Sequence, residues 1–394
     1  MKIERIIIFI FISIFLIGTG FSVGFFYGKS LVHCEICQPQ EINFSLFWEA
    51  YHKLKEQFVD KEKLDTQKII YGAISGMVKS LGDPYTVFMS PAEVKKFEED
   101  VKGSFEGIGA EIDIKKGQLL IVAPLEGTPA QKAGLRAGDK ILKINDTLTS
   151  DLTIDEAVDL IRGPKGTEVT LTILRSEWDN PKEIKITRDI IFVPSLKWEK
   201  KDPDIAYIKL YQFSERASFD FRTTAIDILN SGNKKIILDL RDNPGGYLDV
   251  AQDIAGWFLK KGQTVVIEDF GNGREKKEHN SRGPSNFSEF PVIVLINKGS
   301  ASASEILAGA LRDNRDILLI GEKSFGKGSV QQMEDLSDGS SLKITIAKWL
   351  TPKGEIITDK GIEPDVKVEM TEEDYKEGRD PQLDKAIELI REMR

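Results

Sequence analysis

The chain has 394 residues, enough for two or three domains, and its 41% hydrophobic and 30% charged residues are typical of a folded protein. Its formal net charge is −9 and no long basic run occurs, which argues against nucleic acid as a partner.

An apolar segment opens the chain. Lys2 and Arg5 precede Ile6–Tyr27, which holds 22 residues without a charge. A helix of that length spans roughly 33 Å and can cross a bilayer core. Basic residues ahead of the apolar run favour a cytoplasmic N-terminus and an exported body. We therefore expect residues 1–27 to be a membrane anchor. The alternative is a cleaved signal peptide, for which Gly18–Gly20 is a weak cleavage site.

Two cysteines, Cys34 and Cys37, lie in a juxtamembrane linker that we predict over residues 28–40. Their Cys-x-x-Cys spacing occurs in redox-active proteins, but no βαβ pattern surrounds it here. With His33 they supply at most three ligands, fewer than a structural zinc site uses. We expect a local disulfide or an incidental pair, and no metal or cofactor.

Residues 41–95 are predicted to be a helical segment. Apolar residues recur at helical spacing from Phe44 to Met77, which indicates two or more amphipathic helices. A break and turn follow at Gly82–Tyr85. Ser90 and Glu93 then have the spacing of a capping box, with a proline at the first helical position.

Residues 96–188 are predicted to be a compact β-rich module. A capping box at Thr153–Glu156 indicates a short helix over Asp155–Ile161. Runs typical of strands occur at Ala110–Ile114, Leu119–Val122, Lys140–Ile144, Glu168–Leu174 and Glu183–Thr187. Five strands and a helix, with the turns Gly107–Ala110 and Pro129–Gly134, resemble a PDZ domain.

Residues 189–370 are predicted to be a layered α/β domain, because apolar strands alternate with helical runs near 216–230, 248–260 and 302–312. The predicted strands are Ile205–Leu210, Lys235–Leu240, Thr264–Ile267, Val292–Ile296, Ile317–Ile320 and Leu342–Ala347. Residues 371–394 are charged and amphipathic, and we expect a C-terminal helix or tail. The fold class is therefore α/β and multidomain.

A run of serines stands where the last of these helices begins. Ser300, Ser302 and Ser304 alternate with small residues that leave room for a substrate backbone. A helix N-terminus also offers free N–H groups to an oxyanion. The competing interpretation is a plain helix cap in which Ser302 pairs with Glu305. Spacing alone does not choose among the three serines.

A serine nucleophile needs a base. Lys327 is the candidate, because apolar neighbours and two flanking glycines favour its burial, and burial disfavours the charged amine. Gln331 lies four residues on, so on a strand it shares a face with Lys327 and can orient the amine. An exposed loop lysine is the ordinary alternative. Histidine is scarce, and a Ser-His-Asp triad is available only through His279.

The same lysine takes part in a rival pattern. Gly321–Gly328 almost matches the phosphate-binding loop Gly-x4-Gly-Lys-Ser/Thr. Gly328, however, stands where that loop needs a magnesium-binding hydroxyl. Nearer the N-terminus, Asp239–Gly246 closes an apolar strand with a Pro-Gly-Gly turn. A glycine N–H of this turn, opposite the N–H of Ala303, is a candidate for an oxyanion hole.

From about residue 45 onward the chain resembles the C-terminal processing peptidases, also called tail-specific proteases. Its motifs follow the order of that family. They are Asp83–Thr86, the PDZ-like module, Leu240–Gly246, Gly299–Glu305, Gly321–Gly328, Trp349–Gly354 and Gly361–Asp365. Each motif alone is weakly specific, whereas the ordered set is highly specific.

The resemblance implies a serine endopeptidase that cleaves proteins near their C-termini through a Ser/Lys dyad, without metal or cofactor. It implies Ser302 as nucleophile, Lys327 as general base and Gln331 as the partner of the lysine. It also implies an oxyanion hole from the turn at Gly245 and Gly246 together with the N–H of Ala303.

The resemblance further implies that the PDZ module captures the free C-termini of protein substrates and often controls access to the protease. The N–H groups of Gly107, Ile108 and Gly109 would receive the terminal carboxylate, with the peptide added as a strand. Arg162 is a candidate sensor of that carboxylate. It is equally well explained as a cation at a helix C-terminus.

The sequence thus predicts a single-pass membrane protein with a serine protease on the extracytoplasmic side. Its helical N-terminal segment and C-terminal helix are candidates for homo-oligomer contacts. The alternative from another class is a catalytically inactive PDZ scaffold that binds C-terminal tails without turnover.

Overall fold

The structure, a computed structural model, describes residues 13–25, 27, 42–115, 117–125, 127–150, 152–175 and 177–393. Lys2 and Arg5 lie outside this part of the chain, and so does the Cys34–Cys37 pair with His33.

Residues 13–25 form helix α1 within the predicted apolar segment. In the part of the chain that the structure describes, no helix is both long enough and apolar enough to span a bilayer. Part of the predicted span Ile6–Tyr27 falls outside that part, and the anchor stays a prediction.

The described residues fall into two compact units that divide after Ile70. The first contains helix α2 (Ser45–Gln57) and a 3-10 turn (Lys61–Lys63), and helix α3 (Thr66–Lys79) begins in it. No residue of α2 is buried. The two helices confirm the amphipathic pattern of this segment.

The first part of the second unit contains three helices and nine strands, and six of these strands form one small sheet. Its elements are β1 (Val87–Met89), α4 (Pro91–Lys102), β2 (Ser104–Gly107), β3 (Ala110–Lys115), β4 (Gln118–Pro124), α5 (Pro129–Lys132), β5 (Lys140–Ile144), β6 (Thr147–Leu148), α6 (Ile154–Ile161), β7 (Glu168–Leu174), β8 (Lys182–Thr187) and β9 (Asp189–Phe192). The sheet has the order β3-β4-β5-β7-β8, with β6 paired to β5, while β2 pairs with β9. All five predicted strands of the PDZ-like module are present.

Local sequence explains these elements. The carboxylate of Glu93 accepts hydrogen bonds from the backbone N–H and the hydroxyl of Ser90, so α4 begins at its predicted capping box. Thr153 and Glu156 cap α6 in the same way. Strand β7 buries every second residue against the module core, as the period of two requires.

The second part of this unit is the layered α/β domain. Its elements are β10 (Leu196–Asp202), β11 (Ile205–Leu210), α7 (Ala217–Asn230), β12 (Lys235–Asp239), α8 (Leu248–Phe258), β13 (Thr264–Asp269), β14 (Lys277–Asn280), β15 (Val292–Ile296), α9 (Ala303–Arg315), β16 (Leu318–Gly321), β17 (Ser329–Asp335), β18 (Ser341–Leu350), β19 (Val366–Lys367), α10 (Glu372–Glu377) and α11 (Pro381–Glu392).

A six-stranded sheet of order β10-β11-β12-β15-β16-β19 separates two layers of helices. Within this sheet β11, β12, β15, β16 and β19 run parallel, and β10 is antiparallel to β11. Ile236 and Leu238 pack with α7, α8 and α9, whereas Ile237 packs with α11. The central strands are buried on both faces, which explains why they read as continuous apolar runs. The layered α/β prediction is confirmed.

A second sheet of order β1-β18-β13-β14, with β17 paired to β18, lies beside the first. Strand β1 falls within residues 41–95, which the sequence predicted to be helical, and pairs antiparallel with β18. That prediction was wrong for residues 87–89. The run is too short to show a period, and pairing with a distant strand decides its conformation.

Helix α11 docks on the parallel sheet through a buried arginine. The guanidinium of Arg241 donates two hydrogen bonds of 2.8 Å to Asp380 and one of 2.9 Å to Gln382. It also donates to Asp239, whose carboxylate is fully buried. This contact joins the C-terminal helix to the residues that follow β12.

Replacing Asp380 with Asn should cost about 1.5–3 kcal/mol of unfolding free energy, because Arg241 loses charged hydrogen bonds. Burial raises the pKa of Asp380, but the Arg241 guanidinium outweighs it and holds the pKa below its ordinary value. The contact therefore stabilises the fold above the unfolded pKa of about 3.9 and is lost as pH falls through the folded value. Urea unfolding with an unchanged m-value measures both effects.

The matched control is Asp384→Asn, an exposed carboxylate in the first turn of the same helix. Its effect should stay within about 0.5 kcal/mol. Equal losses in the two variants would contradict the docking role of Asp380.

Candidate active site

A cleft of about 740 Å³ opens beside the start of α9, and Ser302, Lys327 and Gln331 all line it. Gly245 and Gly246 lie on its wall as well. The other walls come from α4, the start of α8, β13, β17 and β18. The cleft lies beyond the carboxyl ends of β12 and β15, where open parallel sheets place their sites.

Of the three serines in the run, only Ser302 lines this cleft. Ser300 is fully buried and donates to the carbonyl of Leu240 at 2.8 Å. Ser304 is fully buried and donates to the carbonyl of Asn243 at 2.9 Å. The outer two hydroxyls thus hold the loop in place, which the sequence pattern did not reveal.

Ser302 occupies an unusual backbone conformation. Its φ is 56° and its ψ is −113°, in a region that residues with a side chain rarely adopt. Helix α9 begins at the next residue, Ala303. Strained conformations of this kind persist only where surrounding contacts enforce them, and they cluster at active sites.

Lys327 precedes β17 and is half-buried, with its Nζ atom 5.9 Å from the centre of the Tyr85 ring. Burial lowers the pKa of Lys327, and the nearby carboxyl of Glu305 opposes that shift without cancelling it. The neighbouring glycine is needed for space, because a Cβ at Gly328 would lie 2.2 Å from the N atom of Thr358.

Gln331 shares the cleft with Lys327, although the predicted strand geometry was wrong. Lys327 lies before β17, and the register of β17 shifts between Val330 and Gln331. A period of two therefore does not relate the residues. The Nε2 atom of Gln331 donates to Ser329 Oγ at 2.5 Å.

The carboxylate of Glu305 joins the two candidate catalytic residues. Its Oε2 atom accepts the backbone N–H of Ser302 at 2.8 Å and that of Lys327 at 2.9 Å. Its Oε1 atom accepts the N–H of Gly326 at 2.7 Å and the hydroxyl of Ser324 at 2.6 Å. Glu305 is only 1% exposed, and burial raises its pKa despite these four donors. The predicted helix cap is therefore also a link between two loops.

The phosphate-loop interpretation does not fit these contacts. A strand, β17, follows Gly321–Gly328, whereas a phosphate-binding loop leads into a helix. The N–H groups of Gly326 and Lys327 already bind the Glu305 carboxylate. The loop therefore holds an acidic side chain of its own chain.

The Pro-Gly-Gly turn packs directly on Ser302. A Cβ at Gly245 would lie 2.8 Å from Ser302 Cβ and 3.0 Å from the Ala303 N atom. The N–H of Gly245 donates to Asn243 Oδ1 at 2.9 Å, so it is engaged within the turn. This favours Gly246 over Gly245 as the partner of Ala303 in an oxyanion hole.

Asn243 is a site residue that the sequence pattern did not single out. It is fully buried and its amide also donates to the carbonyl of Leu210 at 2.8 Å. Its own carbonyl accepts from Ala301 N–H and from Ser304 Oγ. Asn243 thus connects the Pro-Gly-Gly turn with the loop that carries the three serines. Asn243 lies between an aspartate and a proline, a sequence that is typical of a turn without a functional role.

A second lysine lines the cleft. Lys343 on β18 stacks over the ring of Phe97, with Nζ 5.0 Å from the ring centre. Burial lowers the pKa of Lys343, and the charge of Lys327 lowers it further. Lys343 was not predictable as a cleft residue, because β18 supplies it from a distant segment of the chain.

His279 is held away from the serine. Its Nε2 atom lies 3.0 Å from Glu268 Oε2, and its ring contacts Trp349 edge to face. Glu268 and Trp349 line the cleft with Ser302, whereas His279 stands behind them. This arrangement disfavours a Ser-His-Asp triad.

The predicted tail-binding residues stand at the start of β3. Gly107 ends β2, Ile108 is buried, and Gly109 has a φ of 74°. A Cβ at Gly109 would lie 2.5 Å from Thr128. Among the described strands β3 pairs only with β4, so its other edge is open to a peptide strand.

Arg162 follows α6 and is engaged by its neighbours. Its guanidinium donates to Glu99 of α4 at 3.1 Å and lies 4.5 Å from the centre of the Phe105 ring. The cation that binds the carbonyls at the end of α6 is instead Arg188, through Leu160 and Ile161. Arg188 thus supplies a second cation at this helix end, and both interpretations of Arg162, as a carboxylate sensor and as a surface arginine, stay predictions.

Comparison with known proteins places these features in a family. Residues 204–368 match the model of peptidase family S41, residues 120–175 match a PDZ domain, and residues 35–92 match the N-terminal domain of the activating protease CtpB. Among the described residues no group of three or more His, Cys, Asp and Glu side chains is arranged to hold a metal ion.

The chain is 38% identical over 373 residues to the carboxy-terminal processing protease CtpA of Bacillus subtilis, which covers 94% of this chain and 78% of that protein. It is 40% identical over 331 residues to the "Probable CtpA-like serine protease" of Staphylococcus epidermidis, covering 84% of this chain and 66% of that protein. A Bacteroides fragilis structure designated an S41 protease aligns over 91% of this chain with a TM-score of 0.55 and 16% identity, which shows a shared fold.

Replacing Glu305 with Gln should lower kcat/KM for peptide hydrolysis about 10- to 100-fold, as expected for displaced catalytic groups. The glutamine amide replaces one carboxylate oxygen with an NH₂ group. Whichever oxygen is replaced, the NH₂ group faces N–H or O–H donors that bind that oxygen in the wild type. The resulting unsatisfied groups should also lower the unfolding midpoint. Steady-state kinetics and urea unfolding measure the two effects.

Glu322→Gln is the matched control. This carboxylate is 19% exposed, follows β16 and pairs at 3.3 Å with Lys298, which is 81% exposed, so solvent screens the contact. Full activity in Glu305→Gln would contradict the linking role of Glu305.

Proposed function

The chain belongs to the C-terminal processing peptidases of family S41, and on that basis we propose that it is a serine endopeptidase in which Ser302 is the nucleophile and Lys327 the general base. The single observation that carries this proposal is the shared hydrogen-bond acceptor. The backbone N–H groups of Ser302 and Lys327 bind the same oxygen atom of Glu305, and both residues line one cleft.

The reaction follows from these roles. The Oγ atom of Ser302 attacks the scissile carbonyl carbon, and the neutral amine of Lys327 takes the hydroxyl proton. When the tetrahedral intermediate collapses, the C–N bond breaks and Lys327 gives that proton to the leaving amine. Water then attacks the acyl-serine ester and loses a proton to Lys327. The ester bond then breaks, and Lys327 returns its proton to Ser302 Oγ, which restores the hydroxyl. The new carboxylic acid loses its remaining proton to solvent and leaves as a carboxylate.

The negative oxygen of each intermediate needs fixed donors. We assign this role to the N–H groups of Gly246 and Ala303. Two observations support it. The Gly245–Gly246 turn packs against Ser302, and Ala303 is the first residue of α9, where helix N–H groups lack partners within the helix. Gln331 is proposed to orient Lys327 from the cleft wall.

The PDZ domain is proposed to recognise the substrate tail at Gly107, Ile108 and Gly109, with the peptide paired to the open edge of β3. Arg162 would receive the terminal carboxylate. It now binds Glu99 of α4, a helix whose other side chains line the cleft. A bound tail would compete with Glu99 for Arg162. It would thereby weaken the contact between Arg162 and α4, the helix beside the cleft.

The proposal also includes a membrane anchor and a protease body on the extracytoplasmic side. The uncharged run Ile6–Tyr27 behind Lys2 and Arg5 supports it. Homo-oligomer contacts through the terminal helices remain a prediction. The lowered pKa of Lys327 and its half-buried position disfavour an inactive scaffold, because a lysine without a catalytic role is ordinarily exposed and charged.

Replacing Ser302 or Lys327 with Ala should lower kcat for a tail-peptide substrate at least about a thousandfold while the protein remains folded. Loss of the nucleophile or of its base stops acyl transfer. Product formation followed by mass spectrometry measures the loss, and circular dichroism checks folding. Lys323→Ala is the control, since that lysine lies in the same loop and pairs with Glu363 at the surface.

Unchanged turnover in purified Ser302→Ala would contradict the assignment. Normal tail binding by a wild-type protein that turns over no peptide would instead favour the inactive scaffold.

The pH dependence of kcat/KM tests the base. Because Lys327 acts as the neutral amine, activity should rise with pH as the amine loses its proton and fall as pH drops below its pKa. Burial lowers that pKa, so the rise should occur below the ordinary lysine value of about 10.4. Rates between about pH 5 and 11 measure the profile.

Lys343→Met removes a neighbouring positive charge and should move this rise to higher pH. A rise near pH 6.5 that disappears in His279→Gln would point to a histidine base instead.

A further inference from the structure

One buried acid lines the cleft and has no part in the proposed chemistry. Among the cleft-lining carboxylates Glu98 and Asp335 are exposed, whereas the side chain of Glu268 is only 8% exposed. A buried carboxylate is costly unless charged or polar groups satisfy it. Its presence on a binding surface therefore calls for an explanation.

The partner of Glu268 stands behind it, away from the cleft lining. His279 Nε2 lies 3.0 Å from the Oε2 atom of Glu268, and this is the hydrogen bond that the structure gives to that carboxylate. Glu268 and Trp349 are directly opposite on β13 and β18, and the His279 ring contacts the Trp349 ring at 5.6 Å. The three side chains form one patch, of which Glu268 and Trp349 face the cleft.

Apolar side chains line the same cleft as Glu268. Leu248 and Ile306 line the cleft together with Trp349. Ile306 is one helical turn after Ser302, so both occupy the same side of α9. Leu248 begins α8 directly after the oxyanion turn. The patch therefore shares one cleft with Ser302 and with the Gly245–Gly246 turn.

We propose that Glu268 is a specificity-determining residue, which selects substrates that carry a lysine or arginine side chain next to the scissile bond. This inference rests on the proposed function. The apolar stem of such a side chain would pack on Leu248, Ile306 and Trp349, and its cationic end would reach the Glu268 carboxylate. His279 holds that carboxylate in place when no substrate is bound.

The charges elsewhere in the cleft agree with this assignment. Lys343 on β18 lies in the same cleft and carries an amine in place of an acid. Among the buried groups that line the cleft, Glu268 is the acid that can bind a basic substrate side chain. A fully apolar side chain at this position would leave the buried acid with His279 as its one partner.

The test begins with the full-length wild-type protein and a proteome-derived peptide library, with cleavage sites mapped by mass spectrometry. Cleavage sites should be enriched in Lys or Arg at one position beside the scissile bond. Versions of the best substrate with Lys, Leu or Glu at that position are then compared by their kcat/KM values. The wild type should prefer Lys over Leu, and Glu268→Gln should reduce that ratio about 10- to 100-fold, the value of a charged hydrogen bond.

Glu278→Gln is the matched control, because Glu278 is an exposed glutamate on the adjacent strand β14. It should keep the wild-type ratio. No enrichment of basic residues, or the same ratio in Glu268→Gln as in wild type, would overturn the specificity assignment while peptide hydrolysis itself persists.

A binding measurement separates this inference from the proposed function. In the Ser302→Ala background, fluorescence anisotropy with labelled Lys and Leu peptides reports selection without turnover. Tighter binding of the Lys peptide, abolished by adding Glu268→Gln, supports the subsite even if hydrolysis by the wild type fails. Equal binding of the two peptides overturns it.

Discussion

The active site depends on one buried carboxylate. Glu305 lies in the first turn of α9, yet it binds N–H groups of the loop that carries Lys327 as well as that of Ser302. A carboxylate that is 1% exposed needs several donors to be tolerated, and four are supplied. The donors are Ser302 and the segment Ser324–Lys327, which lies 22 to 25 residues further along the chain, so the interaction that satisfies the acid also holds the backbones of Ser302 and Lys327 close together.

A second set of buried contacts fixes the other side of the site. The amide of Asn297 donates to Asp242 and its oxygen accepts the Asp242 N–H, while Asn243 binds the serine loop. Arg241 ties the same turn to Asp380 on α11. Because β12 and β15 are parallel neighbours, the turn after one strand and the serine loop after the other must lie side by side. The backbone topology alone thus brings the Gly245–Gly246 turn next to Ser302.

Much of the fold was predictable because its signals are local. The apolar runs of β11 and β15, the capping box at Thr153 and the alternation in β7 each follow from a few neighbouring residues. The ordered motifs also indicated Ser302 and Lys327, which line one cleft in the structure. Strand β1 was missed because only its pairing with β18 makes it a strand.

The remaining site residues were not predictable, since their roles come from distant partners. Glu305 has the spacing of an ordinary helix cap, and nothing near it in sequence signals its bonds to Gly326 and Lys327. Lys343 and Glu268 reach the cleft from separate strands. The relation of Gln331 to Lys327 was misjudged because a strand period was applied to a residue that precedes the strand.

Covalent labelling tests the central claim most directly. A fluorophosphonate that reacts with activated serines should modify Ser302 and neither Ser300 nor Ser304, as shown by peptide mass spectrometry, because only the middle hydroxyl lines the cleft. Its labelling rate should rise as Lys327 loses its proton and should collapse in Lys327→Ala. Labelling of Ser300 or Ser304, or an undiminished rate without Lys327, would contradict the account.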